Sequence, residues 1–209
     1  MIIISSVAVV VATCGNDDWA ELALKRAVPS VLPIGPDQLI VHHQAKANVC
    51  HSRNVAARAA LTDWLLFLDA DDELSPGYID AMRSFMRMSE PELLLAPYVI
   101  YVAPNGTRTA AHIPNAGHWP NMNDSVTATM IRRTTFERLG GWHQDYWPWS
   151  DWELWLRAEE HGVGRIHVPG AVYIAHQSPQ GENSRIRQTE AQALWNKIKR
   201  LHQQVWDAQ

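Results

Sequence analysis

An apolar run, Trp64-Leu65-Leu66-Phe67-Leu68, ends abruptly in Asp69, Asp71 and Asp72. Residues two apart in extended chain point to the same side, so Asp69 and Asp71 can converge. Converged carboxylates repel, and a divalent cation relieves that repulsion. Mg²⁺ and Mn²⁺ favour a few carboxylates completed by water and phosphate oxygens. A cation held there can bridge a diphosphate and stabilise charge as it leaves. An Asp-x-Asp pair more often caps a turn or helix. Its place at the exit of a predicted buried strand, ahead of Glu73-Leu74-Ser75-Pro76, favours the metal.

Tryptophan is the second signal. Of ten, five fall between Trp142 and Trp155. Aromatic faces can stack on the apolar faces of sugar rings. Trp147 and Trp149 flank Pro148 in a predicted loop and are candidate acceptor contacts. Trp152 is a third candidate, although its helical spacing from Trp155 also suits a core position.

The elements that position these groups alternate between strand and helix. Val7–Ala12 reads as a strand covered on both faces, followed by a helix from Trp19 that Pro29 stops. Leu39–His42 is a short strand, and Ser52 is the expected cap of a helix through Ala60. Trp64–Leu68 is the second buried strand. Ser75-Pro76 opens a helix with Ile79, Met82 and Phe85 or Met86 on one face. Asn105-Gly106 marks a hairpin between 98–103 and 107–112, and another strand follows at 127–131. Thr134 with Glu137, and Ser150 with Glu153, read as capping boxes, and Gly140-Gly141 and Gly162 as helix ends. Strands at 166–168 and 172–175 precede an amphipathic helix over about 184–206, with Leu194, Ile198, Leu201 and Val205 on its face.

This order predicts an α/β sandwich with a mixed central sheet. Ligands of such sheets bind beyond the carboxyl ends of the strands, which points to Thr13–Asn16 and Asp69–Asp72. The net charge of −4 argues against a nucleic-acid surface. Two cysteines, Cys14 and Cys50, give no disulfide framework and fit a cytoplasmic protein. The apolar start is too short to span a bilayer.

"LFLDADDELSPGYID" resembles the metal-binding segment of family-2 glycosyltransferases of the GT-A fold. "SRNVAARAALTDWLLFLDADD" is similar to the family's approach to that motif, and "VVVATCGND" to its first strand and turn. "RRTTFERLGGWHQDYWPWSDWELWLRAEEHG" resembles its acceptor-side segment. Together these cover roughly residues 5 to 176.

The resemblance implies a GT-A three-layer sandwich over 1–183, with a nucleotide-binding half to about 75, an acceptor-side half over about 93–183 and a C-terminal helix over 184–209. It implies transfer of a sugar from a nucleotide-sugar donor, UDP by family frequency, to a hydroxyl on a carbohydrate, lipid or protein, with inversion. It places Asp71 on a Mn²⁺ or Mg²⁺ ion, Asp69 on the ribose or the metal, and His176 as a third metal ligand. Thr13 and Arg53 fall on the nucleotide, and Asp151 is the general base. The segment "AHQSPQGENSR" resembles the loop that often follows the histidine. The sequence departs from the pattern where Ser150 replaces a Glu before Asp151. It departs again where His42-His43 stands in place of an acidic base-reading residue, only ten residues before Arg53. The competing expectations are a metal-dependent nucleotidyltransferase or phosphohydrolase, which lacks its Gly-rich phosphate loop with Lys here, and a tryptophan-built carbohydrate-binding module. The tail is expected to pack on the domain or on a second copy.

Overall fold

The computed structural model describes residues 5–86, 92–178 and 186–208. Its centre is β1 (Val7–Cys14), whose residues from Val7 to Val11 are fully buried. A run of β-branched side chains suits a strand covered on both faces. It pairs in parallel with β2 (Gln38–Gln44) on one side and β3 (Trp64–Leu68) on the other, with Val10 opposite both Ile40 and Phe67. Beyond a two-residue β4 (Glu73–Leu74) comes β5 (Leu93–Val102), and β6 (Ile131–Arg132) returns antiparallel to β3. The first sheet runs β2-β1-β3-β6. The second runs β4-β7-β5, where β7 is Gly164–His176. A bridge between Leu95 and Met130 ties β5 to the chain entering β6.

The period of two along β1 and β3 sorts the layers. Val9, Val11, Leu66 and Leu68 meet α1 (Asp17–Lys25), α2 (Ala27–Val31) and α4 (Tyr78–Met86). Ala8, Val10, Leu65 and Phe67 meet α3 (Val49–Ala57), α5 (Arg133–Arg138) and α6 (Ser150–Glu160). Helices cover both faces, so the expected three-layer mixed α/β architecture is present.

Local expectations fare unevenly. β3 has the expected bounds, and Gly140, Gly141 and Gly162 all take positive φ at helix ends. Pro29 does not end its helix. It lies in the first turn of α2, where a missing N–H costs nothing. Ser52 is not a cap: Asn48 accepts from the His51 N–H at 2.9 Å, and α3 stops at Ala57. Ser52 lies inside the helix and donates to the Thr13 carbonyl at 2.8 Å. Neither Thr134 nor Ser150 caps, since Arg132 and Trp149 hold those positions without a side-chain bond. The Asn105-Gly106 reversal forms, but its second arm makes only isolated bridges at Arg108 and His112. The expected strands at 166–168 and 172–175 are one strand with an irregularity opposite Ala96–Tyr98, and only Ile131 of 127–131 belongs to a strand.

The tail forms α7 (Gln188–Leu201) and α8 (Gln203–Asp207). The break at His202 changes the helical phase. Ile198 and Val205 are buried against Trp152 and Leu156 of α6, whereas Leu201 is 52% exposed. The face expected from Leu194, Ile198, Leu201 and Val205 therefore loses Leu201. The expected helix start near Ser184 lies outside the described residues. No helix among the described residues is long and apolar enough to cross a membrane.

Candidate active site

Because β1 and β3 run in parallel, Cys14 and Leu68 release the chain at the same edge of the sheet. Residues 13–18 and 69–73 therefore follow the strands at one edge, where α3 meets both through Ser52 and Arg53. Arg53 projects there from α3 and is 3% exposed. A buried guanidinium needs a counter-charge. Arg53 ion-pairs with the Asp69 carboxylate and lies 4.7 Å from the centroid of the Trp142 ring. Burial opposes its charge, and Asp69 outweighs that cost. The helix turns the neighbouring Asn54 to another task. It donates to the Trp142 carbonyl at 2.8 Å and accepts from the Trp142 N–H at 2.9 Å. A Cβ on Gly141 would come within 2.5 Å of the Asn54 amide oxygen, and φ there is +76°. Glycine is what allows this clamp.

The three carboxylates have separate surroundings. Asp69 holds Arg53. Asp72 accepts from the Tyr173 hydroxyl and from the His176 N–H at 2.7 Å. Burial, then Asp71 and Asp69, push its pKa well above the ordinary carboxylate range. Asp72 is thus a strut joining β7 to the strand exit. Burial and then Asp69 also raise Asp71. The Asp71 backbone carbonyl accepts from Arg26 at 2.8 Å. His176 stands at the end of β7 with its Nε2 2.8 Å from a Glu73 oxygen.

Two of these residues, Asp71 and His176, have surroundings that would suit a divalent cation. Asp71 is a carboxylate under strain from a like charge, the condition that a cation relieves. A carboxylate on one ring nitrogen is also what orients a metal-ligating histidine, and Glu73 meets that need. Among the described residues no three His, Cys, Asp or Glu side chains cluster tightly enough to hold an ion by themselves. Such a cation would draw its remaining ligands from donor phosphates and water.

Thr13 is 5% exposed, and its hydroxyl lies 2.9 Å from His43 Nδ1. His43 Nε2 in turn lies 3.4 Å from Asp17. The Thr13 hydroxyl thus has a side-chain partner of its own, a bond that orients His43.

Asp151 is the second residue of α6. One carboxylate oxygen accepts from the Trp152 N–H at 2.8 Å and the other from Asn123 at 3.0 Å. Burial raises its pKa to about 6, against the hydrogen bond from Trp152 and the Arg53 charge. A carboxylate with a pKa this close to neutral suits general-base chemistry.

Trp147 is 38% exposed at the rim. Trp149 is partly buried, its ring 5.9 Å from that of Trp152. Trp152 is 4% exposed, packed on Leu156, Ile198 and Val205. It is core and offers no face to an acceptor. Most of the segment expected as a loop after His176 lies outside the described residues.

Several residues that shape this site carry no local sequence signal. Glu73 beside His176 is one. Asn123 on Asp151 is another. Glu153, which stood out in the sequence only as half of a capping box, is fully buried, paired with Arg157 at 2.8 Å and 3.6 Å from His202. His42-His43 did stand out as a departure from the family pattern, and that oddity points to His43.

The sequence profile described as Glycosyl transferase family 2 matches residues 9–143. A protein of Bacillus subtilis (strain 168) described as the uncharacterized glycosyltransferase YwdF is 23% identical over 176 residues, 80% of this chain and 63% of that protein. Among solved structures, S. aureus TarS 1-349 with UDP-GlcNAc superposes with a TM-score of 0.69 at 14% identity, covering 94% of this chain and 65% of that one. The same fragment with UDP gives 0.66 at 15% identity, over 94% of this chain and 64% of that one. The chain thus spans under two thirds of the length of these relatives. The superpositions show the GT-A fold. With its profile matched from the first strand through the Gly-Gly-Trp turn, the chain belongs to glycosyl transferase family 2.

Proposed function

We propose that this chain transfers a sugar from a nucleotide-sugar donor, a UDP-sugar first among them, to an acceptor hydroxyl, by a single displacement with inversion. The observation that carries the reading is Asp151. It is a shielded carboxylate with a pKa of about 6, under the joint influence of Arg53 and Asp69 at the strand exits. TarS, with the same fold, has been captured with UDP and with UDP-GlcNAc.

Residues to about 75 form the donor half and 93–183 the acceptor half. Asp71, with Asp69 and His176, would hold a Mn²⁺ or Mg²⁺ ion. Such an ion would neutralise the diphosphate as charge builds on it. Arg53 supports the same negative charge, and its ion pair with Asp69 fixes the guanidinium before donor arrives. His43, oriented by Thr13 and Asp17, stands where the family carries its acidic base-reading residue and contacts the base. Trp147 and Trp149 receive the acceptor. Asp151 takes the acceptor hydroxyl proton as the oxygen bonds to the anomeric carbon. The bond from that carbon to the phosphate oxygen breaks, and the nucleoside diphosphate departs with the electron pair.

The test uses purified protein, Mn²⁺ or Mg²⁺ and a panel of nucleotide sugars, with release of nucleoside diphosphate as readout. Asp151→Asn keeps shape but cannot take the proton. Its transfer should fall by about 10²–10⁴-fold while UDP still binds. Near-normal transfer by that variant removes Asp151 as base, and a retained anomeric configuration in the product removes the single displacement.

A further inference from the structure

One oxygen of Asp151 is held from outside α6. It is held by Asn123, from the loop between β5 and β6, at 3.0 Å. The amide orientation follows from its other bond. The Asn123 side-chain oxygen accepts from the Ser125 N–H at 3.1 Å, so the amide N–H must face the carboxylate. The Asn123 carbonyl is fixed as well, accepting from Asn115 at 2.7 Å. Asn115 adopts φ +48°, one of the few side-chain-bearing residue types that tolerate that region.

Two residues earlier the loop meets the C-terminal helices. The Trp206 indole N–H donates to the Asn121 side-chain oxygen at 3.0 Å, and the Trp195 indole N–H to the Asn121 carbonyl at 3.2 Å. An indole N–H only donates, so both bonds have a single sense. The two rings meet edge-on at 6.5 Å, and Trp206 lies 6.5 Å from Trp152. Two helices that supply no group to the proposed chemistry thus converge on one loop residue. From there the chain runs through Asn123 to the base.

We infer that Trp195 and Trp206 of the C-terminal helix pair are positioning residues for Asp151, acting through Asn121 and Asn123 of the 115–125 loop. The inference rests on the reading of Asp151 as general base. Its physical content is a restraint. An amide N–H bonded to a carboxylate favours the ionised form and fixes its direction. The same carboxylate is faced by Arg53 and Cys50 of α3, by Asp69 beyond β3 and by Tyr101 of β5. Asn123 differs from these groups in lying on a loop that the tail bonds directly, at Asn121.

The experiment titrates Asp151 by carboxyl ¹³C NMR in the full-length protein and measures kcat and donor KM over the same pH range. Asn123→Ala removes the donor and should raise the Asp151 midpoint by about one unit. Asn123→Asp puts a like charge in its place and should raise it further. The order wild type, Ala, Asp is one that general loosening does not produce. Trp206→Phe with Trp195→Phe keeps one six-membered aromatic ring at each position and removes both N–H donors. That variant should shift the midpoint in the same direction and lower kcat roughly 3–10-fold, the span of about 1 kcal/mol for lost neutral hydrogen bonds, with donor KM unchanged. An unmoved midpoint in Asn123→Ala overturns the contact. A shift there with none in the double Trp variant overturns the role of the tail. If Asp151→Asn transfers normally, the general-base reading fails, and the NMR shifts still report separately whether the chain of contacts exists.

Discussion

The donor side and the acceptor side of this molecule are built by opposite means. At the donor side, one contiguous strand delivers Asp69, Asp71 and Asp72, and the nearby helix α3 supplies Arg53 sixteen residues upstream of Asp69. At the acceptor side, Asp151 is held by Asn123, 28 residues away, and Asn121 by Trp206, 85 residues away. In the same helix, Glu153 meets Arg157 one turn on and His202 from the tail. A site made by a strand exit is written in local order. A site made by a loop, a helix start and a tail exists only after the chain has folded back on itself. Apart from the brace that Tyr173 and His176 give Asp72, the first should tolerate loss of distant contacts, and the second should not.

The largest expected effect breaks the acceptor side from below. Glu153 is fully exposed to no solvent and faces Arg157 and His202; burial alone would raise its pKa, but His202 and Arg157 outweigh that and hold it below the ordinary range. Removing one member of a buried charge cluster leaves the others uncompensated. Glu153→Ala should destabilise the fold by about 3–5 kcal/mol, read by denaturant unfolding. A loss under about 1 kcal/mol would mean that the cluster is solvated in solution, and that α6 does not depend on the tail.

The next sharpens the contrast by separating stability from activity. Asp151 has a folded pKa of about 6 against an ordinary value of 3.8. A raised carboxylate pKa means that ionisation costs the folded state. The cost is absent below pH 4, grows through pH 6 and is complete above it. Asp151→Asn should therefore stabilise the protein above pH 6, by up to about 2–3 kcal/mol, while abolishing transfer. The catalytic limb should fall as pH drops through about 6 in wild type. A variant no more stable at pH 8 than wild type would show that the carboxylate is solvated.

Arg53→Met tests the donor side. Losing a charge-assisted contact costs about 1.5–3 kcal/mol, so UDP affinity by calorimetry should fall about 10–100-fold. The melting temperature should change little, because Asp69 is left at the strand exit, where water can reach it. Equal UDP binding by the two proteins would reduce Arg53 to a partner of Asp69 alone.

This division also explains what could be read from sequence. The β3 strand and its acidic exit were legible because a buried strand must be apolar on both faces, and its end must change character. Arg53 was legible through the family resemblance of the segment that leads into the acidic motif. The capping boxes were not. Ser-x-x-Glu at 150–153 has the right spacing, but Glu153 is drawn into the core by Arg157 and cannot reach back. Ser52 was similarly taken by the Thr13 carbonyl. A tertiary bond to a buried partner wins over a local bond at a solvated terminus. Trp152 shows the same limit. Aromatic type suggests sugar stacking, and only the arrival of Ile198 and Val205 shows that its face is covered.

The smallest effect probes the seam between tail and α6. His202 ends α7, is 2% exposed, and lies 2.8 Å from Glu160, without the alignment of a hydrogen bond, and 3.6 Å from Glu153. Burial would lower its pKa, yet Glu153 and Glu160 together raise it above the ordinary 6.5. For a histidine with a raised folded pKa, protonation favours the folded state. Its stabilisation is fully present below pH 6.5 and is lost as pH rises through the folded value. His202→Asn can still occupy the helix end but cannot carry the charge. The gap in melting temperature between wild type and variant should be widest below pH 6.5, roughly 2–4 °C for about 1 kcal/mol in a chain of this size. It should narrow as the pH is raised above that point. Because the same helices bond Asn121, the variant's transfer rate should recover toward wild type over the same rise in pH. A gap that stays constant with pH would show that His202 acts by packing alone, and that the tail is fastened through Ile198 and Val205 without help from the charge.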